Sequence, residues 1–315
     1  MSAPFPTILP EIPPILPEIP PILPEAWARP ARQATLGAAF ERAGPGLHTG
    51  RRANVRVSPA AAGAGILFRR QLKDGRRADV PALWRYRESQ PLCTALRSSD
   101  GILVRTVEHL MAALSAHRID NALVEIDAEE LPIFDGSALP WCAGIRGAGR
   151  IEQDAPRRSL RLRRPVAVRM GERSLSVEPC DHLRVSAHLA LAHFPGMDWT
   201  GPVDPETFDR ALAPSRSFGR LKWAVPLKLY SFLTGKPVLR GANLRTTAGI
   251  VGSRVVGGMR VPDEPVRHRA LDLVGDLALI GHPLLGHVRA AHTGHELNHA
   301  LVAKLMAEPD AWELV

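Results

Sequence analysis

Two segments far apart in the chain carry residues suited to metal-assisted hydrolysis. One reads Thr106-Val-Glu108-His109-Leu, the other Pro265-Val-Arg-His268-Arg269-Ala-Leu-Asp272-Leu-Val-Gly-Asp276. His268, Asp272 and Asp276 recur every four residues. A helix would align them on one side, away from a core stripe of Ala270, Leu273, Val274 and Leu277. Such a stripe alone reads as a solvated face, but solvated faces usually carry Lys and Glu. Asp272 and Asp276 would also repel across one turn unless a cation or donor lies between them. In the first segment Thr106 is a candidate N-cap, and Val107, Leu110, Met111 and Leu114 form the inward stripe. His109 falls on the other side among Ala112, Ala113 and Ala116, which leave room for a close neighbour. A helix apolar nearly all round should be sandwiched, and a buried histidine in it needs a partner. Alone, His109 reads as a satisfied core residue. Together, His109, His268 and Asp272 make a set of two imidazoles and a carboxylate that leaves a cation one open position. Glu108 would then stand ready to take a proton from water. Zinc and ferrous iron both suit these donors. The absence of an HExxH motif excludes the standard zincin arrangement.

Two helices must therefore be held face to face, and the rest of the chain is read for elements that could do it. The 315 residues suffice for two domains. Residues 8–25 repeat ILPEIPP every seven residues. Proline at that density forbids helix and central strand, so 1–31 reads as a polyproline-like flexible tail. An Arg-, Gly- and Pro-rich stretch over 146–164 marks a boundary between an N-terminal α+β domain, 32–150, and a C-terminal one, 151–315. The patterns predict strands over 53–58, 65–70 and 122–126 and a strand-rich segment over 175–192. Helices are expected over 106–117, near 205–213, and over 265–280 and 295–306. Asp263 or Glu264 would cap the third helix, Pro265 suits its first turn, and Gly281 and Pro283 end it. Residues 219–262 read as irregular. Without regular βαβ alternation the class is α+β.

Composition limits the function classes. The net charge is +8, mostly from Arg, which suits a phosphorylated or membrane partner, but no aromatic-and-basic repeat points to nucleic acid. Three cysteines without a CxxC pair point to free thiols and against cysteine zinc sites. The sequence has no apolar run long enough to cross a bilayer, and its N-terminus is unlike a secretory signal, so a cytoplasmic protein is expected.

Seven blocks, in order from about residue 33 to the C-terminus, carry a resemblance. They are Gly46-Leu-His48-Thr-Gly50, Thr106-Val-Glu-His-Leu-Met-Ala-Ala-Leu114, Ile119-Asp-Asn-Ala, Pro132-Ile-Phe-Asp-Gly-Ser-Ala138, Ser215-Arg-Ser-Phe-Gly219, Val266 through Leu277, and Gly294-His-Glu-Leu-Asn298. The set resembles the UDP-3-O-acyl-N-acetylglucosamine deacetylase family. The resemblance implies two similar βααβ-layered domains with helices packed between sheets and the active site at their interface. It implies hydrolysis of the N-acetyl group of an acylated UDP-sugar, the committed step of lipid A synthesis, with transient membrane contact compatible with such a substrate. By the family's pattern His109, His268 and Asp272 would hold zinc and Glu108 would be the general base. His295 would be the cationic acid, Asp276 its orienting partner, and Ser217 an oxyanion donor. Arg269 and Phe218 would contact substrate, and His48 is assigned no step. Ser217 and Arg269 replace the family's usual Thr and Lys. Residues 236–262 match poorly, and Trp223, Leu227, Tyr230, Phe232 and Leu233 are candidate lining for the acyl chain. Two other readings keep the same fold: a non-catalytic sugar-nucleotide or lipid-binding relative, and a deacetylase of another N-acetyl sugar.

Overall fold

Alternation along the strands explains how each sheet offers one apolar face. In the strand Arg52–Pro59, Ala53, Val55 and Val57 are buried while Arg52, Asn54 and Arg56 are exposed. This strand lies in a five-stranded sheet of order Phe40–Pro45, Arg52–Pro59, Ala122–Ile126, Ile66–Gln71, Arg77–Pro81. The third strand runs parallel to the fourth, so the chain must cross over between them. The crossover carries a three-stranded sheet, Arg87–Gln90, Cys93–Arg97 and Leu103–Arg105, and helix α1, Glu108–Ala116. These assignments come from a computed structural model, which describes residues 31–315; the proline repeat over 8–25 lies outside the described residues.

The second half repeats the theme around a seven-stranded sheet. Its central strand Leu284–Ala291 pairs with Arg173–Pro179, Arg184–Leu189 and Leu160–Leu162. Helix α2 covers Leu139–Ala148. Pro205–Thr207, here α3, continues into a π turn over Phe208–Leu212. The remaining helices are α4, Ala224–Thr234; α5, Glu264–Leu277; and α6, His295–Ala307. Strand Arg150–Pro156 returns to pair with Arg32–Leu36. The class is mixed α and β, as the patterns imply. One continuous apolar core joins the halves, running from Val57 and Phe68 through Leu110 and Leu114 to Val274 and Val288.

The contact between α1 and α5 is the spine of the molecule. All of α1 except Ser115 is buried, and α5 is buried from Glu264 to Leu277 except at Arg267 and Arg269. Gly275 permits their close approach: a Cβ there would lie 2.1 Å from the carbonyl oxygen of Glu108. Gly275→Ala should therefore force the helices apart. The expected outcome is a loss of about 1–3 kcal/mol in urea unfolding, typical of overpacking, together with most of the activity. An unchanged unfolding midpoint would remove Gly275 from this role.

Several sequence expectations need correction. Thr106 does not cap α1. It has φ 58°, a strained conformation for a β-branched residue, and its hydroxyl donates to Glu130 at 3.0 Å. Neither Asp263 nor Glu264 caps α5: Asp263 adopts φ 52° without a side-chain cap bond, and Glu264 is engaged elsewhere. Residues 219–262 are not irregular throughout, because they hold α4 and the strands Ala248–Val251 and Arg254–Val255.

Candidate metal centre and active site

His109 and His268 meet edge to face, with ring centroids 5.1 Å apart, and Asp272 lies between them. Its Oδ1 is 3.4 Å from His268 Nε2 and 3.7 Å from His109 Nε2. All three residues are buried. His268 Nδ1 contacts the Ser215 carbonyl at 3.2 Å, which puts a proton on Nδ1 and leaves the Nε2 lone pair free. Burial drives both imidazoles down to about 3, with His268 adding to it at His109 and Arg269 at His268, so both are neutral, as a ligand must be. Asp272 Oδ1 has no hydrogen-bond partner although it is fully enclosed. A buried orphan oxygen facing two free imidazole nitrogens is what a cation would satisfy. The donor set therefore fits a divalent metal.

Two further groups of His, Cys and Asp come together among the described residues. In one of them the fold brings Cys142 to His117 and Asp209, which the spacing of the cysteines does not show. There Asp209 is already held by His117 at 3.0 Å and by Arg146, and burial pushes the Cys142 thiol far up. That group is satisfied without a cation. The other, Cys180-Asp181-His182, is a local run in a turn, with Asp181 exposed.

Glu108 begins α1, one residue before His109. Its Oε2 accepts from the Thr94 N–H at 3.0 Å, and its Oε1 faces His295 Nε2 at 3.9 Å. Burial raises the carboxyl to about 8; the His295 charge pulls it down, while Asp272 and Asp276 push it up. His295 opens α6, where the dipole disfavours a cation. Burial opposes its charge too, but the charges of Asp276, Asp272 and Glu108 and a 2.9 Å bond to Asp276 lift its pKa well above the usual range.

Asp276 is wholly buried, and the repulsion expected between it and Asp272 is answered by donors on its far side. It accepts from Thr94 Oγ1 at 2.5 Å and Asn298 Nδ2 at 2.8 Å as well as from His295. Burial alone would raise its pKa, but His295, His299 and these bonds hold it low, at about 2. Sequence reasoning missed Thr94, Asn298 and His299. His299 stands one turn after His295 on α6, a spacing that could have flagged it. Thr94 is one residue of a buried strand with nothing local to mark it.

Ser217 and Phe218 are carried by a segment locked to the start of α5. Arg216 makes a two-pronged pair with Glu264, Nε–Oε1 at 2.7 Å and Nη2–Oε2 at 2.9 Å, and its own N–H adds a third bond at 2.9 Å. This pair, also missed, is buried and ties Ser217 to the helix that bears His268 and Asp272. Arg269 lies over the Phe218 ring, 5.1 Å to its centroid, and 3.9 Å from Asp272 Oδ2. Glu130 accepts from the His48 and Thr49 N–H groups at 2.7 Å each, fixing the Gly46–Gly50 turn. A Cβ on Gly46 would strike that carboxylate at 2.3 Å.

Glu108, His109, Ser217, Phe218, His268, Arg269, Asp272 and His295 all line one cavity of about 1060 Å³. Asp276 stands behind it. Leu47, Ile133, Leu189, Leu221, Trp223, Leu227 and Leu244 give the cavity a broad apolar wall. Of the candidate lining residues, Trp223 and Leu227 are part of it. Tyr230, Phe232 and Leu233 are not; they sit on the outside of α4.

Comparison with known proteins agrees with this architecture. A family profile described as UDP-3-O-acyl N-acetylglycosamine deacetylase matches residues 33–307. The UDP-3-O-acyl-N-acetylglucosamine deacetylase of Myxococcus xanthus is 39% identical over 287 residues, covering 90% of this chain and 89% of its own. That of Syntrophotalea carbinolica is 38% identical over 289 residues, covering 90% of each chain. That of Phenylobacterium zucineum is 38% identical, covering 86% of this chain and 92% of its own.

Proposed function

This chain belongs to the UDP-3-O-acyl N-acetylglycosamine deacetylase family, and on that premise we propose how its residues remove an acetyl group from UDP-3-O-acyl-N-acetylglucosamine in lipid A biosynthesis. The reaction adds water across an amide, giving acetate and a free amine. It needs an acceptor for the water proton, donors for the oxyanion and a proton for the departing nitrogen. His109, His268 and Asp272 would hold a divalent cation, zinc by preference for this donor set, with ferrous iron also suited. When bound, the cation supplies Lewis acidity, acidifying a water and polarising the amide carbonyl.

Glu108 accepts the water proton, its basicity raised toward neutrality by burial. His295, whose Nε2 lies 3.9 Å from Glu108 Oε1 on the same cavity, stays cationic and faces the developing oxyanion and the leaving nitrogen. The Ser217 hydroxyl gives a further donor to the oxyanion. Asp276 is a positioning residue: it touches His295 and lines no part of the cavity. Arg269, stacked on Phe218, offers a planar cation to the substrate's diphosphate, with the fork that Arg has and Lys lacks. The apolar wall beyond them suits an acyl chain. One observation carries the reading: the orphan Asp272 oxygen facing two neutral imidazoles, with Glu108 and His295 beside it on the same cavity.

Acetate release from UDP-3-O-acyl-N-acetylglucosamine by the purified chain, abolished by a chelator and restored by zinc, tests the proposal. Bound zinc without turnover would favour a binding protein. Turnover of simpler N-acetyl sugars would favour a deacetylase of another substrate.

Asp276→Asn separates positioning from direct participation. It keeps the shape but removes the charge that holds His295 protonated. The expected result is a kcat lower by about 10–100-fold, the range for an outer-shell partner, with KM little changed. Because a raised histidine loses its proton as pH climbs through its pKa, lowering that pKa moves the alkaline limb of the pH–rate profile to lower pH. An unmoved alkaline limb would take Asp276 out of this role.

A further inference from the structure

Helix α4 is turned inside out. Its inward side presents Ala224, Leu227 and Ser231, while Val225, Leu229, Tyr230, Phe232 and Leu233 face outward. Phe232 is 81% exposed, Val225 74% and Leu233 73%. This orientation is fixed by polar bonds rather than by apolar burial. The Ser231 hydroxyl is buried, donates to the Lys236 carbonyl at 2.6 Å and accepts from the Val238 N–H at 3.0 Å and Arg240 Nε at 2.8 Å. Arg240 also holds the carbonyls of Ser231 and Gly235 at the helix's end. Rolling the apolar side inward would break all of these bonds. Trp223, just before the helix, is 55% exposed and extends the patch.

The charges carried by the segment that holds the patch have one sign. From Arg210 to Pro262 the sequence has no Asp or Glu, while Lys222, Lys228 and Lys236 lie on or beside α4. All three lysines are exposed, and none is ion-paired among the described residues. An outward row of large apolar groups fringed by lysines matches an anionic lipid interface, where the rings and aliphatic chains enter the acyl region and the ammonium groups meet phosphates. A water-soluble protein partner would also match the lysines with carboxylates, but it would leave unexplained large apolar side chains exposed along the whole outer side of a helix whose own segment carries no acid.

We propose that the outer side of α4, with Trp223, docks on an anionic bilayer surface. The proposal needs no catalysis, but it gains meaning from the function proposed above. Trp223 and Leu227 also line the active-site cavity, so a docked helix would set that cavity's apolar wall beside the lipid. An acylated sugar nucleotide could then pass between membrane and site without exposing its chain to water.

Co-sedimentation of the full chain with large vesicles of phosphatidylglycerol and phosphatidylethanolamine, against phosphatidylcholine vesicles, tests this. Binding to the anionic vesicles is expected, weaker at high salt. The exposed pair Phe232→Asp with Leu233→Asp should lower partitioning at least ten-fold without changing the thermal midpoint. Brominated lipids should quench the wild-type fluorescence, and Trp223→Phe should remove that quenching. Failure of the wild-type chain to bind anionic vesicles, or equal binding by the double variant, would overturn the proposal. So would a stable dimer that the double variant dissolves, since a second copy would then be the occupant. Acetate release in vesicle-free solution reads the catalytic proposal separately: its failure with vesicle binding intact leaves the docking surface standing, and the reverse result leaves the deacetylase standing.

Discussion

Replacing Glu108 with glutamine is expected to lower kcat by about 10²–10⁴-fold, the range for losing a general base, while the bound metal stays at its wild-type content. Glutamine keeps the size of the side chain and an oxygen for the Thr94 N–H, which now bonds Glu108 Oε2 at 3.0 Å. It removes a group that lines the cavity, touches no metal ligand through a hydrogen bond, and is made basic by burial. His295 cannot take over, because the charges of Asp276, Asp272 and Glu108 keep it protonated, and a protonated imidazole has no lone pair for water. The measurement is acetate release beside metal content on the same protein. Turnover near the wild-type rate with full metal would rule out Glu108 as the base; loss of both would make it a structural support for the centre instead.

Residue types and helical spacing marked Glu108, His109, His268, Asp272 and Asp276 only as a set: alone, the His–Asp stripe reads as a solvated face and His109 as a core residue, and it is their combination that suits a cation. Spacing could not bring α1 to α5. That convergence depends on Gly275 meeting the Glu108 carbonyl, a contact between positions 167 residues apart, which no local pattern encodes. The supports were hidden for a similar reason. Thr94 lies on a buried strand, and the Arg216–Glu264 pair joins a loop to a helix start across 48 residues. Each is an ordinary residue until the fold supplies its partner.

Helix α4 escaped for a different reason. Pattern reading looks for an apolar stripe and assumes that it faces inward. In α4 the stripe faces outward and the buried position is a serine, so Ala224–Thr234 read as irregular and its outer residues as cavity lining. The misreading and the docking proposal have one cause: the usual link between apolar and buried is reversed there.

Asp272→Asn should be more stable than wild type in the metal-free state and less stable than wild type in excess zinc. Without a cation, Glu108, Asp272 and Asp276 are three buried carboxylates on two packed helices. Asp276 has its donors, but Asp272 Oδ1 has none, and burial raises the Asp272 pKa against the opposing charges of His295, His109 and Arg269. A carboxyl raised in the folded state binds more protons there than when unfolded. Its ionisation therefore costs stability as pH rises above the ordinary aspartate range, and the cost vanishes below that range. Asparagine removes the charge while keeping the shape. The metal-free variant should exceed metal-free wild type by about 1–4 kcal/mol near neutral pH, the gain seen when buried ionic groups become neutral, and the gap should close as pH falls. With zinc added the order should invert: the variant loses a charged ligand, should bind zinc more than about 100-fold more weakly, and so gains little from it. Thermal unfolding of both proteins, in chelator and in excess zinc and at several pH values, reads all four states. A metal-free variant less stable than metal-free wild type would mean that Asp272 is held by protein contacts alone. The pocket between α1 and α5 would then be a structural joint rather than a cation site.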